Sequence, residues 1–143
     1  QTGALVAIHS GDAEMLTNPS KNLSSFVGQE SIQIPADILI EDGRELQIGT
    51  MKLTAIHTPG HTPGGLCYLC GDILFTGDTL FEGSVGRTDF PGGSQNVLMQ
   101  SINEKLMVLA DELKIYPGHG RVSTLGKERE TNPFLQDRED FDF

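Results

Sequence analysis

The chain has 143 residues, of which 37% are hydrophobic, as expected for one globular domain rather than a disordered or fibrous protein. Twenty acidic residues against ten basic ones give a formal net charge of −10, so we expect neither nucleic acid nor an anionic membrane surface as a partner. No apolar run reaches the roughly 18 residues of a transmembrane helix, and two cysteines are too few for a disulfide framework. These observations predict a cytoplasmic protein.

The first third of the chain alternates between short ordered segments and polar loops. Its patterning predicts a strand over residues 5–8, then a short helix ending near Leu16 with Ser10 or Asp12 as its N-cap. Residues 17–36 are polar and contain two prolines and a glycine, which predicts a long surface loop.

Several strands are predicted next. The apolar runs at residues 37–40 and 45–48 flank an Asp-Gly pair, which is typical of a β-hairpin. Residues 51–56 alternate apolar and polar like a half-buried strand. Two more short strands are expected at residues 66–69 and 73–75, on either side of a Cys-Gly-Asp turn.

The second half of the chain predicts more helix. Residues 77–93 contain five glycines and are expected to form a loop. A helix is predicted from the N-cap Ser94 to about Ala110, with one apolar face formed by Leu98, Ile102, Leu106 and Leu109. A short strand at residues 114–116 precedes a polar helix and the acidic tail 137–143. Alternation of strands and helices predicts the α/β class.

Three potential metal ligands follow predicted strands. His61 and His119 lie between glycine and proline residues directly after a strand, and Asp78 is placed in the same way. Side chains in such positions can converge at one edge of a sheet. Imidazole and carboxylate are the ligands that catalytic Zn²⁺ sites use, so the three residues are candidate metal ligands.

Four motifs in order resemble those of the metallo-β-lactamase superfamily. They are HTPGHTPGG at residues 57–65, LFTGDTLF at 74–81, GSVGRTDFPGGS at 83–94 and YPGHG at 116–120. The third is similar to the glyoxalase II-like (hydroxyacylglutathione hydrolase-like) branch in particular. The resemblance implies that His61 binds a first metal, His119 binds a second and Asp78 bridges both. The implied cofactor is zinc, two ions in the intact protein, with iron or manganese as alternatives.

One expected motif is missing from the sequence. In this family the other four ligands come from an earlier H-x-H-x-D-H motif, which these residues do not contain. The chain also begins with Gln1 rather than methionine. We therefore expect residues 1–143 to be a single, incomplete domain, the C-terminal part of a four-layer αββα sandwich without its N-terminal strands. Such a fragment would be inactive alone.

The resemblance implies hydrolysis of a small-molecule thioester or ester, with metal-bound hydroxide as the nucleophile and no catalytic side chain beyond the metal ligands. Two alternatives stay open. One is a persulfide dioxygenase-like enzyme with a single iron, a branch that carries a similar Gly-Arg-Thr-Asp-Phe stretch. The other is a non-catalytic, metal-free half-domain, for which self-association through exposed sheet edges is expected.

Other reactive residues have simpler interpretations. We expect His57 to pack its loop and His9 to have a surface or capping role. Cys67 and Cys70 form a C-x-x-C pair, but on a strand they point to opposite faces, which disfavours a redox or zinc site. Arg87 and Asp89 are expected to pair with each other, although binding of a substrate carboxylate by Arg87 is the alternative.

Overall fold

The computed structural model describes residues 2–28 and 33–136. Its first unit is a two-stranded parallel sheet of β1 (Ala7–His9) and β2 (Ile38–Ile40). The predicted helix between them is a 3₁₀ helix, Ser10–Leu16. Its N-cap is His9 rather than Ser10 or Asp12, because the imidazole accepts the backbone N–H of Gly11.

The predicted loop 17–36 contains one short helix, α1 (Ser24–Val27), and its residues 29–32 lie outside the described part of the chain. The predicted hairpin at residues 37–48 is wrong. Strand β2 pairs with β1, whereas β3 (Glu45–Ile48) pairs antiparallel with β4 (Met51–His57). The turn at Gly43 instead leads the chain from one sheet to the other, and its backbone N–H donates to the carbonyl of Ala55 on β4.

A six-stranded sheet forms the centre of the fold, in the order β10-β9-β6-β5-β4-β3. Strands β3 to β6 form an antiparallel meander. Strand β9 pairs in parallel with β6, and β10 pairs antiparallel with β9 and forms the edge opposite β3. The prediction of a plain loop over residues 77–93 needs correction, because this segment contains two short strands that pair with each other. The remaining bounds are β5 (Leu66–Cys70), β6 (Ile73–Gly77), β7 (Leu80–Phe81), β8 (Ser84–Val85), β9 (Lys114–Pro117) and β10 (Ser123–Thr124).

Helix α2 (Gln95–Ser101) packs the main core against this sheet, and Ser94 is its N-cap as predicted. A π-helical segment, Ile102–Leu106, extends it but ends short of the predicted Ala110. Just beyond this end, the guanidinium of Arg129 donates to the carbonyls of Met107 and Leu109, which a longer helix would have used. The apolar face is buried as expected, within a cluster that includes Leu74, Leu98, Ile102, Leu106, Ile115 and Leu125.

The chain then forms α3 (Leu125–Thr131) and α4 (Pro133–Gln136), in agreement with the predicted polar helix. The acidic tail 137–143 lies outside the described residues. Within residues 2–28 and 33–136, no helix has the length and apolar character needed to span a bilayer. The α/β class predicted from the sequence is confirmed.

Candidate metal centre

The three predicted ligands meet at one edge of the six-stranded sheet. His61 follows β4, Asp78 follows β6 and His119 follows β9. These three strands run in the same direction, since β4 and β6 both pair antiparallel with β5 and β6 pairs parallel with β9. Their carboxyl ends therefore lie together, and the loops that leave them bring the three side chains into contact.

Asp78 lies between the two histidines. Its Oδ2 is 3.4 Å from Nε2 of His61, and its Oδ1 is 3.3 Å from Nε2 of His119. Ligand atoms bound to one tetrahedral cation at about 2.0–2.2 Å are separated by about 3.3–3.6 Å, so each pair has a suitable spacing. Within the described ranges, however, no three His, Cys, Asp or Glu side chains surround one common ion position. The geometry is thus that of two ligand pairs that share one carboxylate.

A backbone contact orients His61 for metal binding. Its Nδ1 lies 2.7 Å from the carbonyl oxygen of Arg87, which can only accept a hydrogen bond. In the neutral imidazole this contact places the proton on Nδ1, which leaves Nε2, on the side of Asp78, available to bind a metal. This is the usual arrangement of a metal-binding histidine. His119 is held differently, by the ring of Phe81 stacked at 4.4 Å between centroids.

Two motif glycines allow the strand ends to approach so closely. A Cβ on Gly86 would lie 1.8 Å from the backbone oxygen of Asp78, and one on Gly118 would lie 2.9 Å from Oδ1 of the same residue. Gly118 also donates its N–H to the carbonyl of Gly77 at 2.8 Å. Side chains at these two positions would displace the carboxylate, so the glycines are part of the site.

The loop that carries His61 is fastened by a residue that the sequence indicated only as a possible helix cap. The carboxylate of Asp12 accepts hydrogen bonds from the Thr62 hydroxyl at 2.5 Å and from the Gly64 N–H at 2.7 Å. About fifty positions separate these residues along the chain, and nothing in local spacing or patterning indicates the contact.

His57 and His9 support the same loop through a hydrogen bond and a stacking contact. His57 contacts the Pro63 carbonyl through Nε2 at 2.9 Å, which confirms its loop-packing role. Its ring stacks on that of His9 at 3.9 Å between centroids. His9 is buried and caps the 3₁₀ helix, so the capping role is confirmed and a surface role is wrong.

A pocket of about 630 Å³ opens beside the two ligand pairs. Arg87 lines it, and its guanidinium forms two hydrogen bonds of 2.7 Å to the carboxylate of Asp89, which confirms the predicted pairing. The hydrogen bonds from Arg87 lower the pKa of Asp89 to about 2. The same guanidinium covers the ring of Phe90, 4.1 Å from the ring centroid.

The C-x-x-C pair lies on β5. Cys67 is buried and faces the hydroxyl of Thr58 at 3.3 Å, whereas Cys70 is partly exposed, and both thiols are free. Burial raises the pKa of the Cys67 thiol to about 11, which removes its reactivity at neutral pH. The predicted placement on opposite faces is confirmed.

Comparisons with known proteins agree on one protein family. Residues 1–119 match the family model described as "Metallo-beta-lactamase superfamily". A Mycobacterium leprae protein is 42% identical over 94% of this chain, which spans 66% of that relative. "Probable metallo-hydrolase YqgX" of Bacillus subtilis is 41% identical over 91% of this chain and 63% of its own length. "Hydroxyacylglutathione hydrolase GloC" of Haemophilus influenzae is 41% identical over 68% of this chain and 47% of its own length.

Solved structures agree with this assignment. The BLEG-1 B3 metallo-beta-lactamase superposes with a TM-score of 0.85 and 38% identity, over 92% of this chain and 65% of that one. TTHA1623, solved in a di-iron-bound form, superposes with a TM-score of 0.80 and 33% identity, over 94% of this chain and 66% of that one. The chain therefore spans about two thirds or less of the relatives and structures named here.

Proposed function

Because the chain belongs to the metallo-β-lactamase superfamily, we propose that it provides part of the metal centre of a glyoxalase II-like hydrolase that acts on a small thioester. The observation that carries this proposal is the carboxylate of Asp78, which faces His61 with one oxygen and His119 with the other. A carboxylate placed in this way suits two neighbouring cations. The names of the Bacillus and Haemophilus relatives support a metal-dependent hydrolase.

In this proposal His61 and Asp78 hold one cation, and Asp78 and His119 hold a second. Zinc is the proposed metal, with iron or manganese as alternatives, and the di-iron form of TTHA1623 supports the iron alternative. A bound cation of this kind lowers the pKa of a coordinated water to about 7 and so supplies a nucleophile at neutral pH. The chain contains three of the ligands that the family resemblance implies, so we expect it to bind metal weakly by itself.

The hydrolysis itself needs little further help from side chains. The oxygen of water forms a new bond to the acyl carbon, and the carbon–sulfur bond breaks with its electron pair going to sulfur. The protons of the water pass to solvent, so the products are a carboxylate and a thiolate. The thiolate leaves without a general acid, because a thiol has a pKa of about 8.5 and is stable as an anion near neutral pH. The contribution of the chain is to hold His61 through the Arg87 carbonyl and to hold His119 against Phe81.

Metal stoichiometry tests the proposed centre. The chain is titrated with Zn²⁺ by calorimetry, and its metal content is measured after dialysis. We expect His61→Ala and His119→Ala each to lose one ligand pair, whereas Asp78→Ala loses both, because the carboxylate is shared. Asp72→Ala is the matched control for Asp78→Ala, since it removes an exposed carboxylate from the turn before β6, at the other end of that strand. Unchanged zinc binding by Asp78→Ala would contradict the proposal.

Assays on the metal-loaded chain separate the chemistries. A thioester hydrolase releases free thiol from a phenylacetyl thioester with zinc bound and consumes no oxygen. The persulfide dioxygenase-like alternative requires one iron and oxygen uptake with a persulfide. A chain that binds no zinc in the titration and shows neither activity would support the non-catalytic alternative.

Self-association and a cytoplasmic location are further parts of the proposal. Strand β3 lies at an edge of the six-stranded sheet. Ile48 at its end is exposed, and so is Met51, its partner on β4. Such an edge can pair with a second copy of the chain. Sedimentation velocity over increasing concentration tests this, and a monomer at every concentration would contradict it. The two free thiols support a reducing compartment such as the cytoplasm.

A further inference from the structure

Among the described residues, the charges around the pocket leave one cation without a carboxylate partner. Arg87 is bound by Asp89, and Lys127 is bound by Glu82 at 2.7 Å. Arg121 also lines the pocket, yet in the described ranges no Asp or Glu oxygen lies within 4.0 Å of its guanidinium. Its charge acts at longer range on Glu82 of the same pocket, whose pKa is lowered mainly by Lys127 and to a smaller extent by Arg121. A chain of net charge −10 thus presents, in the part that the structure describes, a positive group outside any ion pair beside its candidate metal ligands.

The segment that carries Arg121 is fixed on both sides. On one side, Gly118 donates to the Gly77 carbonyl at 2.8 Å. On the other side, the Ser123 hydroxyl donates to the buried carboxylate of Glu128 at 2.5 Å. Arg121 therefore lies in an anchored stretch of backbone, two residues after His119. Its long side chain borders the same pocket as Asp78. Little backbone ordering would be needed for it to bind a ligand there.

The rest of the pocket offers an apolar surface. Phe81, Val85 and Phe90 contribute to its lining, and both phenyl rings are already held in place. Phe81 stacks on His119, and Phe90 lies under the guanidinium of Arg87. The pocket lining therefore combines apolar carbon, the ligand pairs of the candidate metal centre and the guanidinium of Arg121.

We propose that Arg121 binds a carboxylate of the substrate, so that the pocket selects a small thioester with an anionic end and an apolar end. This inference rests on the proposed function for the thioester, but the anion site itself does not. Guanidinium and carboxylate form paired, charge-assisted hydrogen bonds, whereas an amide of the same shape cannot supply the charge. The discrimination is limited because Arg121 is exposed and water screens the interaction.

Binding of two matched thioethers to the metal-free chain tests the anion site without any reaction. The probes are the 2-phenylethyl thioethers of 3-mercaptopropionic acid and of its amide, titrated at pH 8 and followed by NMR. Metal-free protein is used so that the carboxylate cannot bind a cation. We expect the acid to bind about five- to tenfold more tightly than the amide. This ratio should fall towards one in Arg121→Gln and as salt is added.

Arg44→Gln is the matched control. Arg44 is an exposed arginine in the turn before β3, where it donates to the Leu39 carbonyl. Its replacement changes the net charge equally and should leave the acid-to-amide ratio unchanged. Equal affinity for the two probes, no measurable binding of the acid, or a ratio that survives Arg121→Gln would each overturn the proposal.

The corresponding phenylacetyl thioesters extend the test to the zinc-loaded chain. Preferential hydrolysis of the acid, reduced in Arg121→Gln, supports both the anion site and the hydrolase. Hydrolysis of both thioesters at equal rates would overturn Arg121 as the residue that selects the substrate while the hydrolase stands. Selective thioether binding without any hydrolysis would leave the anion site standing, because that test does not depend on the reaction. The hydrolase would then be judged by the zinc titration of Asp78→Ala, since the chain alone is expected to be inactive.

Discussion

Glu128 is a fully buried carboxylate on α3, and its removal should be among the most destabilising single changes in the chain. Its Oε1 accepts the Ser123 hydroxyl at 2.5 Å, and its Oε2 accepts the Gly83 N–H at 2.8 Å and the Asn132 amide at 2.9 Å. These bonds connect α3 to β10 and to the turn between β7 and β8. The carboxylate therefore holds one wall of the pocket in place.

The size of the effect follows from what Glu128→Ala leaves behind. Asn132 keeps other acceptors, the carbonyls of Phe81 and Ser84, so its loss is small. The buried Ser123 hydroxyl and the Gly83 N–H lose the bond to Glu128, and an unpaired buried donor costs about 1–3 kcal/mol. Gly83 is exposed to water and contributes the lower figure. We expect a loss of about 3 kcal/mol, a large share of the ~5–15 kcal/mol typical of a domain.

Urea unfolding followed by circular dichroism measures this loss. Glu128→Gln keeps the shape of the side chain but places an amide donor among donors, so it should cost about 1–2 kcal/mol. Glu130→Gln on the same helix is exposed and should change stability by less than about 0.5 kcal/mol. A Glu128→Ala variant as stable as Glu130→Gln would show that water replaces the carboxylate and that the buried network does not stabilise the fold.

Three further predictions concern the site and its surroundings. Gly86→Ala should weaken zinc binding by at least about tenfold in calorimetry, because its Cβ would lie 1.8 Å from the backbone oxygen of Asp78; unchanged affinity would contradict the close approach. The Asp89 carboxyl should titrate in NMR with a pKa of about 2 and return towards 3.8 in Arg87→Gln. Because this pKa is lowered on folding, the pair stabilises the fold above about pH 4 and loses that contribution as the pH falls towards 2; an unshifted titration would show that the pair does not form in solution. Alkylation followed by mass spectrometry should modify Cys67 much more slowly than the other thiol, since its pKa is about 11, and equal rates would refute its burial.

Local signals in the sequence predicted much of the candidate site. His61, Asp78 and His119 each follow a strand and lie in a short motif with glycine, so the order of the residues is enough to place them at a sheet edge. Their roles as ligands remain predictions that the titrations above test. The N-cap at Ser94 and the opposite faces of the C-x-x-C pair were also predictable, because capping and strand alternation depend on neighbouring residues only.

Tertiary structure alone decided which distant segments meet. The turn at Gly43 has the sequence of a hairpin turn, but β2 pairs with β1 because a parallel partner is available about thirty residues earlier in the chain. Asp12 reaches the loop of His61, and Glu128 reaches the turn at Gly83, across about fifty and forty-five positions respectively. Periodicity and caps record the preferences of neighbouring residues. The partner of a buried carboxylate or an exposed strand edge depends on how the whole chain packs, and no local pattern carries that information.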